Sequence, residues 1–431
     1  MNVLVLGAYG LIGQAVVREL VARGHDVIGL ARAAARGEKL LPEVRWIAGD
    51  LNQLLFPEDW DGHLAGIDAV VNASGALQSG MQDDLGRVQR DSIVALIGAC
   101  AQAGVLRFVQ ISAPGAEQHA ATEFMATKGE ADAALRASSL EWVILKPGLV
   151  ISETAYGGTS LIRMLAAFPV VQPIALADAR LQSIDVRDVA RAVARALSEP
   201  GLAQEDFDLV APQSQSLEEI VLTFRDWLGF SRPAAVWRLP LWLAMAMGRI
   251  ADVAGHLGWR APLRTTALKV LDGDVIGDPE PWRTATGEEF LSLAETLKRM
   301  PATRQERMFA RVQLVFPVAV VLFAMFWIAS GVIGLWQMTR AASLIAGQVG
   351  EMAASVSVVG GAVVDMSVGA AMLVRQTFVP ACIAAVLVSV AYLILGSFLT
   401  PELWADPLGP LMKIFPVIGV GLMLIAMAEE R

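Results

Sequence analysis

Residues 7–13 read Gly7-Ala8-Tyr9-Gly10-Leu11-Ile12-Gly13. They follow the apolar run Val3–Leu6 and open Leu11–Ala22, where Ile12, Val16, Leu20 and Val21 fall near one helical stripe. Strand, glycine turn and helix in that order build a cradle. A side chain at Gly7 would block the tight turn, Gly10 admits a close backbone approach, and Gly13 lets helix and strand pack together. A pyrophosphate then sits at the positive end of the helix dipole. The spacing predicts a dinucleotide site lined by Gly7, Tyr9, Gly10, Leu11, Ile12 and Gly13. A packing turn without a ligand is the plainer alternative.

Further strands are expected at Val27–Leu30, Val44–Ile47, Ala69–Val71, Phe108–Ile111 and Trp142–Leu145, with helices at Ser92–Ala103 and Glu123–Arg136 between them. Continuous apolar strands separated by helices imply a parallel sheet covered on both faces. After Pro147 the pattern loosens into a helix at Val186–Leu197, a strand at Phe207–Val210 and a helix at Leu217–Leu228. Leu239–Leu257 is apolar, yet Arg249, Asp252 and His256 interrupt it and Pro240 stands at its start. It reads as an amphipathic helix packed on the domain, with contact to a membrane surface as the alternative.

The composition changes along the chain. Of 431 residues 55% are hydrophobic and 18% charged, which excludes a disordered or collagen-like polymer. Val312–Arg431 holds ten charged residues, six acidic and four basic, against 37 acidic and 30 basic before it. The front has the balance of a soluble domain and the rear that of a membrane domain. Four spans are expected, at Val312–Leu335, Met352–Val374, Gln376–Leu399 and Leu411–Ala428. A short surface helix is expected in the Met338–Glu351 loop. Asp365 falls within the second span and is costly there unless paired, hydrated or neutral. It marks either a polar functional site or a hydrogen bond between helices.

The expected fold class is α/β, a doubly wound parallel-sheet Rossmann domain (1–300), then a basic connector (301–311) and an all-α transmembrane four-helix domain (312–431). Lys298, Arg299, Arg304, Arg307 and Arg311 with Arg375 lie on one side of the bilayer, and Arg340 with the acidic loop Glu402–Asp406 on the other. The positive-inside rule then places the Rossmann domain and both termini in the cytoplasm of a multi-pass inner-membrane protein. The start lacks a basic n-region, so no signal peptide is expected. No basic footprint for nucleic acid exists. Two cysteines, Cys100 and Cys382, and four scattered histidines offer neither a disulfide framework nor metal-ligand spacing.

The choice of nicotinamide rests on the second strand. NAD sites place a carboxylate at its end to bind the ribose hydroxyls. Here the strand ends Ile28-Gly29-Leu30-Ala31-Arg32. A guanidinium at Arg32 suits the 2′-phosphate, so NADP(H) is favoured over NAD(H).

Gly7–Gly13, Asp50-Leu51 after strand three, Asn72-Ala73-Ser74-Gly75 after strand four, Ser112 after strand five and Lys146-Pro147-Gly148 after strand six form a series. The series resembles the atypical short-chain dehydrogenase/reductase superfamily, nearest to NmrA-like proteins and the accessory Rossmann subunit of respiratory complex I. The resemblance covers roughly residues 1–300. It extends to Ile184-Asp185-Val186-Arg187-Asp188-Val189-Ala190 at the start of a late helix. It implies that Asp50 and Leu51 lie at the adenine, Ala73, Ser74 and Gly75 beside the ribose, and Pro147 and Gly148 near the nicotinamide. Phe326-Trp327-Ile328-Ala329-Ser330-Gly331 and Val364-Asp365-Met366-Ser367-Val368-Gly369 resemble a DoxX-like four-helix domain.

The resemblance also implies a catalytic Ser112 and a ribose-holding Lys128, yet Phe124 stands where that superfamily has its proton-transferring tyrosine. A phenyl ring transfers no proton. Two readings stay open. In one, Tyr156, His119 or water supplies the proton, and the protein is a membrane-anchored NADP(H)-dependent oxidoreductase acting on a lipophilic substrate, a quinone or isoprenoid-like molecule. In the other, the dinucleotide is structural or sensory and the protein is a scaffold acting on a membrane partner not identified by the sequence.

Overall fold

The computed structural model of the protein describes residues 1–75, 84–259, 261 and 263–428. Strands β1 (Asn2–Leu6), β2 (Asp26–Ala31), β3 (Arg45–Ala48), β4 (Ala69–Asn72), β5 (Arg107–Ile111) and β6 (Glu141–Pro147) form one sheet with the later strand Glu205–Leu209. The order is Glu205–Leu209, β6, β5, β4, β1, β2, β3. Every neighbouring pair is parallel. The direction of winding reverses between β1 and β4, and an open α/β sheet has its ligand crevice at that place.

Alternate residues of β1 feed the two cores. Val3 and Val5 join Val16, Val17 and Leu20 of α1 (Leu11–Ala22) on one face. Leu4 and Leu6 join Ile93 and Leu96 on the other, from α3 (Ser92–Ala103), which follows α2 (Ala34–Leu40) in the chain. All four β1 side chains are fully buried, the reason the strand reads as an unbroken apolar run. Helix α4 (Glu123–Arg136) packs on the second face through Ala131 and Leu135. Thr122 caps it, its hydroxyl accepting the Met125 N–H at 3.3 Å.

The chain divides into two compact units, Met1–Asp252 with Pro262–Arg307, and Val253–Ala261 with Met308–Arg431. In the second, Arg304–Trp336, Glu351–Met372 and Phe378–Leu399 are long and apolar enough to cross a membrane, by length and composition. The fourth expected span is a shorter helix, Ile414–Met427, of 14 residues. At about 1.5 Å per residue it reaches about 21 Å, short of the roughly 30 Å hydrocarbon layer. It starts three residues later than expected, and Pro416 falls in its first turn, where the missing N–H breaks no helical hydrogen bond. A helix at Met338–Val349 fills the loop where a short one was expected.

Two glycines explain how the first two spans meet. A Cβ on Gly331 would lie 2.4 Å from the Ala362 carbonyl oxygen, and one on Gly369 would lie 2.7 Å from that of Ala324. Small residues let helix backbones approach where lipid gives no hydrophobic drive. Asp365 is buried and joins three helices. The Ser330 hydroxyl donates to its Oδ2 at 2.8 Å and the Tyr392 hydroxyl to its Oδ1 at 2.8 Å. Of the two readings of this aspartate, the geometry favours the hydrogen bond between helices. Ser367, its sequence neighbour, instead donates to the Val363 carbonyl.

Leu241–His256 is helical as expected, but its packing differs. It buries only a strip of small residues, Ala244, Gly248 and Gly255, while Trp242, Ile250 and Val253 are 72, 71 and 61% exposed. An apolar pattern leads one to expect burial, yet here the apolar side faces outward. Just beyond it, Trp259 packs edge-on against Phe378 and donates its indole N–H to the Leu373 carbonyl at 2.7 Å. The Arg375 guanidinium lies over the same indole, 5.7 Å from the ring centre. Aromatic and cationic side chains gathered at one end of apolar helices mark a membrane–water boundary.

Candidate dinucleotide and acceptor site

Gly7 follows β1 with φ +67°. A Cβ there would stand 2.7 Å from the Ala73 carbonyl oxygen, so the loops after β1 and β4 touch across the crevice. A Cβ on Gly13 would stand 2.1 Å from the Gly7 carbonyl oxygen. Both positions exclude any side chain. Gly10 donates its N–H to the Gly7 carbonyl at 2.8 Å and serves as the N-cap of α1. No side chain caps this helix, and its first turn holds no acidic residue. Its leading N–H groups are therefore left for an anion. The residues fit a dinucleotide diphosphate. Tyr9, Leu11 and Ile12 are half-buried around the turn, and the Tyr9 ring stands 6.1 Å from that of Trp46.

Arg32 follows β2 directly and is exposed. Arg36 is exposed one turn further, in α2, and belongs to the same corner. The Asp50 Oδ1 accepts from the backbone and side-chain nitrogens of Asn52, both at 3.0 Å, which shapes the turn beyond β3 above a buried Leu51. Beyond β4, the buried Asn72 amide holds its loop. It donates to Gln110 at 2.9 Å and accepts from the Ser74 N–H at 3.0 Å. Ala73 and Ser74 are half-buried and Gly75 is exposed. At the end of β6, Pro147 is buried, and a Cβ on the following Gly148 would lie 2.4 Å from the Gln182 carbonyl oxygen. All these groups stand at the carboxyl ends of the parallel strands.

The structure brings Lys128 and Ser112 together with that cradle. Lys128 is buried, and its Nζ donates to the Ile111 carbonyl at 3.0 Å, next to Ser112. It also lies 3.8 Å from where a Gly75 Cβ would be. Burial lowers the ammonium's pKa, with the Asp132 charge opposing. The Phe124 ring lies beneath it, 5.8 Å from Nζ to the ring centre. Tyr156 is not part of this group. It caps the helix Gly157–Ala166, is 49% exposed, and bonds Thr159 through its backbone. Among the described residues it shares no hydrogen bond with Ser112 or Lys128. His119 is exposed in its loop.

One residue of the group escapes a motif search. Asp132 is fully buried on α4, and the Ser112 hydroxyl donates to its Oδ2. The available signal was its place four residues beyond Lys128, on the same helical face.

A parallel sheet with a glycine cradle at its winding reversal defines a nucleotide-binding protein of Rossmann type. Residues 7–200 match the NAD(P)H-binding family and residues 324–422 the DoxX-like family. An NAD(P)H azoreductase of Xenophilus azovorans is 27% identical over 219 residues, 51% of this chain and 71% of that protein. The UPF0659 protein YMR090W of Saccharomyces cerevisiae is 30% identical over 178 residues, 38% of this chain and 75% of that protein. The triphenylmethane reductase of Citrobacter sp., solved with NADP(H), shares the fold with a TM-score of 0.53 at 18% identity, over 69% of this chain and 99% of that one. The chain belongs to the NAD(P)H-binding Rossmann family, joined on one polypeptide to a DoxX-like membrane domain.

Proposed function

We propose that the protein is a membrane-anchored, NADP(H)-dependent reductase of a lipophilic acceptor. The supporting observation is the contiguity of Ser112, Lys128 and the Gly75 edge of the dinucleotide cradle. A nicotinamide bound there supplies a hydride. Lys128 holds the ribose, Ser112 orients the acceptor, and Pro147 with Gly148 walls the nicotinamide end. Arg32 supports NADP(H) over NAD(H), because a guanidinium pairs with a 2′-phosphate. The relative that reduces azo compounds supports an extended apolar acceptor.

In this reading the tether raises the encounter rate with an acceptor dissolved in lipid. Exposed apolar side chains along these helices, such as Val318, Leu322, Val332 and Leu387, are free to face hydrocarbon. The Arg304, Arg307 and Arg311 end of the first span and Arg375 support a cytoplasmic Rossmann domain at the inner membrane. A second reading, a dinucleotide-dependent scaffold without turnover, is favoured by Phe124 beneath Lys128.

The deciding experiment uses the full chain in detergent and follows NADPH absorbance with menadione and with the azo dye methyl red. Turnover of either supports the reductase. Tight NADPH binding with no turnover of any acceptor selects the scaffold.

A further inference from the structure

The proton that Phe124 cannot give has a second source in the fold. Asp132 is fully buried. Its Oδ2 is in hydrogen-bond contact with the Ser112 hydroxyl, and its Oδ1 has no hydrogen-bond partner among the described residues. Among the described residues no cation is hydrogen-bonded to it, and the Lys128 Nζ donates to the Ile111 carbonyl. A carboxylate so placed would be a buried charge held by one hydroxyl, which is costly. A neutral carboxylic acid there costs less. We propose that Asp132 is held protonated and, acting through Ser112, supplies the proton that completes reduction of the acceptor.

The charged groups that face the pair come from two helical turns and two strands. Burial raises the Asp132 carboxyl, while the Ser112 hydroxyl, Lys128, Arg136 and Lys146 act in the opposite sense. Two of those opponents are engaged elsewhere. Arg136 and Lys146 both pair with Asp206 on the strand beside β6. Of the other two, Ser112 is the contact itself, and Lys128 is pushed toward its neutral form by burial.

Direction decides the chemistry. With Asp132 ionised, Ser112 donates to it and its proton is committed. With Asp132 protonated, the same contact runs in reverse. Oδ2–H donates to the Ser112 Oγ, and the serine hydrogen turns free toward the acceptor. Reduction of an azo bond then balances. The hydride bonds to one nitrogen and the N=N π bond breaks. The other nitrogen takes the Ser112 proton, Oγ takes the Asp132 proton, and the carboxylate recovers a proton from solvent after product leaves. Asp132 never touches the acceptor. It is a positioning residue and proton reservoir for Ser112, in place of the absent phenol.

This inference rests on the reductase reading, and two dyes separate the two. Reduction of an azo dye consumes a hydride and a proton, whereas reduction of the malachite green cation consumes a hydride alone. In the full chain, Asp132→Asn keeps the shape of the carboxyl and removes the proton. We expect methyl red reduction to fall by about 100-fold or more, the usual weight of general acid catalysis, with malachite green reduction far less affected. In the wild type, methyl red reduction should decline as pH rises through the Asp132 titration, and the Asn variant should lack that limb.

A readout without turnover accompanies it. The infrared difference between wild type and Asp132→Asn at neutral pH should contain a protonated-carboxyl band. Absence of the band, or equal losses on both dyes, overturns the proposal while leaving the reductase intact. A wild type that binds NADPH but reduces neither dye overturns the relay, and one that also leaves menadione unreduced overturns the reductase reading with it.

Discussion

Arg32 and Asp132 each carry one decision that a glycine motif does not. Arg32 stands at the end of β2 where a carboxylate would bind ribose hydroxyls. Arg32→Ala should weaken NADPH binding by about tenfold or more, since a charge-assisted hydrogen bond contributes about 1.5–3 kcal/mol, and leave NADH unchanged. Isothermal titration with both nucleotides checks this, and equal affinities in the wild type contradict it. Asp132 also links to stability. Burial raises its folded carboxyl above the unfolded value. Its favourable contribution is therefore complete at low pH and is lost as pH rises through the folded value. Asp132→Asn should gain on the wild type in thermal midpoint as the pH rises from below the ordinary carboxylate range through the folded value. A constant difference across that range contradicts the raised value.

The helix Leu241–His256 and the first two spans show what elements add. Trp242, Ile250 and Val253 lie on one outward side, and the chain directly after this helix is bolted by Trp259 to Leu373 and Phe378. The exposed side is continuous in sequence with a membrane boundary, so the helix should lie in the lipid interface. With the other tryptophans replaced by phenylalanine, Trp242 fluorescence should be quenched by brominated lipids in proteoliposomes. Unquenched emission there rules out the interfacial placement. Within the bundle, Gly331→Ile cannot be accommodated where a Cβ already falls 2.4 Å from a backbone oxygen. The variant should melt at lower temperature in detergent, with NADPH binding by the front unit preserved. These element-level details were hidden from hydropathy alone. An apolar residue facing lipid and one facing a core carry the same side chain, and only the neighbours tell them apart.

At the level of the entire polypeptide, the two units have different solvents. The front buries its apolar residues on both faces of a sheet, and the rear leaves most of its apolar surface outward. Truncation before Met308 should therefore spare reduction of a soluble acceptor and cost reduction of a long-chain quinone in vesicles. Equal losses on both would argue against a lipid-dissolved acceptor.

The alternation of strands and helices, the glycine cradle and the membrane tail were settled by order and composition, because they depend on spacing along the chain. Helices α1, α3 and α4 span the residues that their sequence patterns mark, and Thr122 caps the last of them. The Asp365 contacts with Ser330 and Tyr392 and the union of Ser112 with Asp132 were settled only by folding. Each joins residues far apart in the chain, and a hydrogen bond between distant residues has no period for a sequence to display.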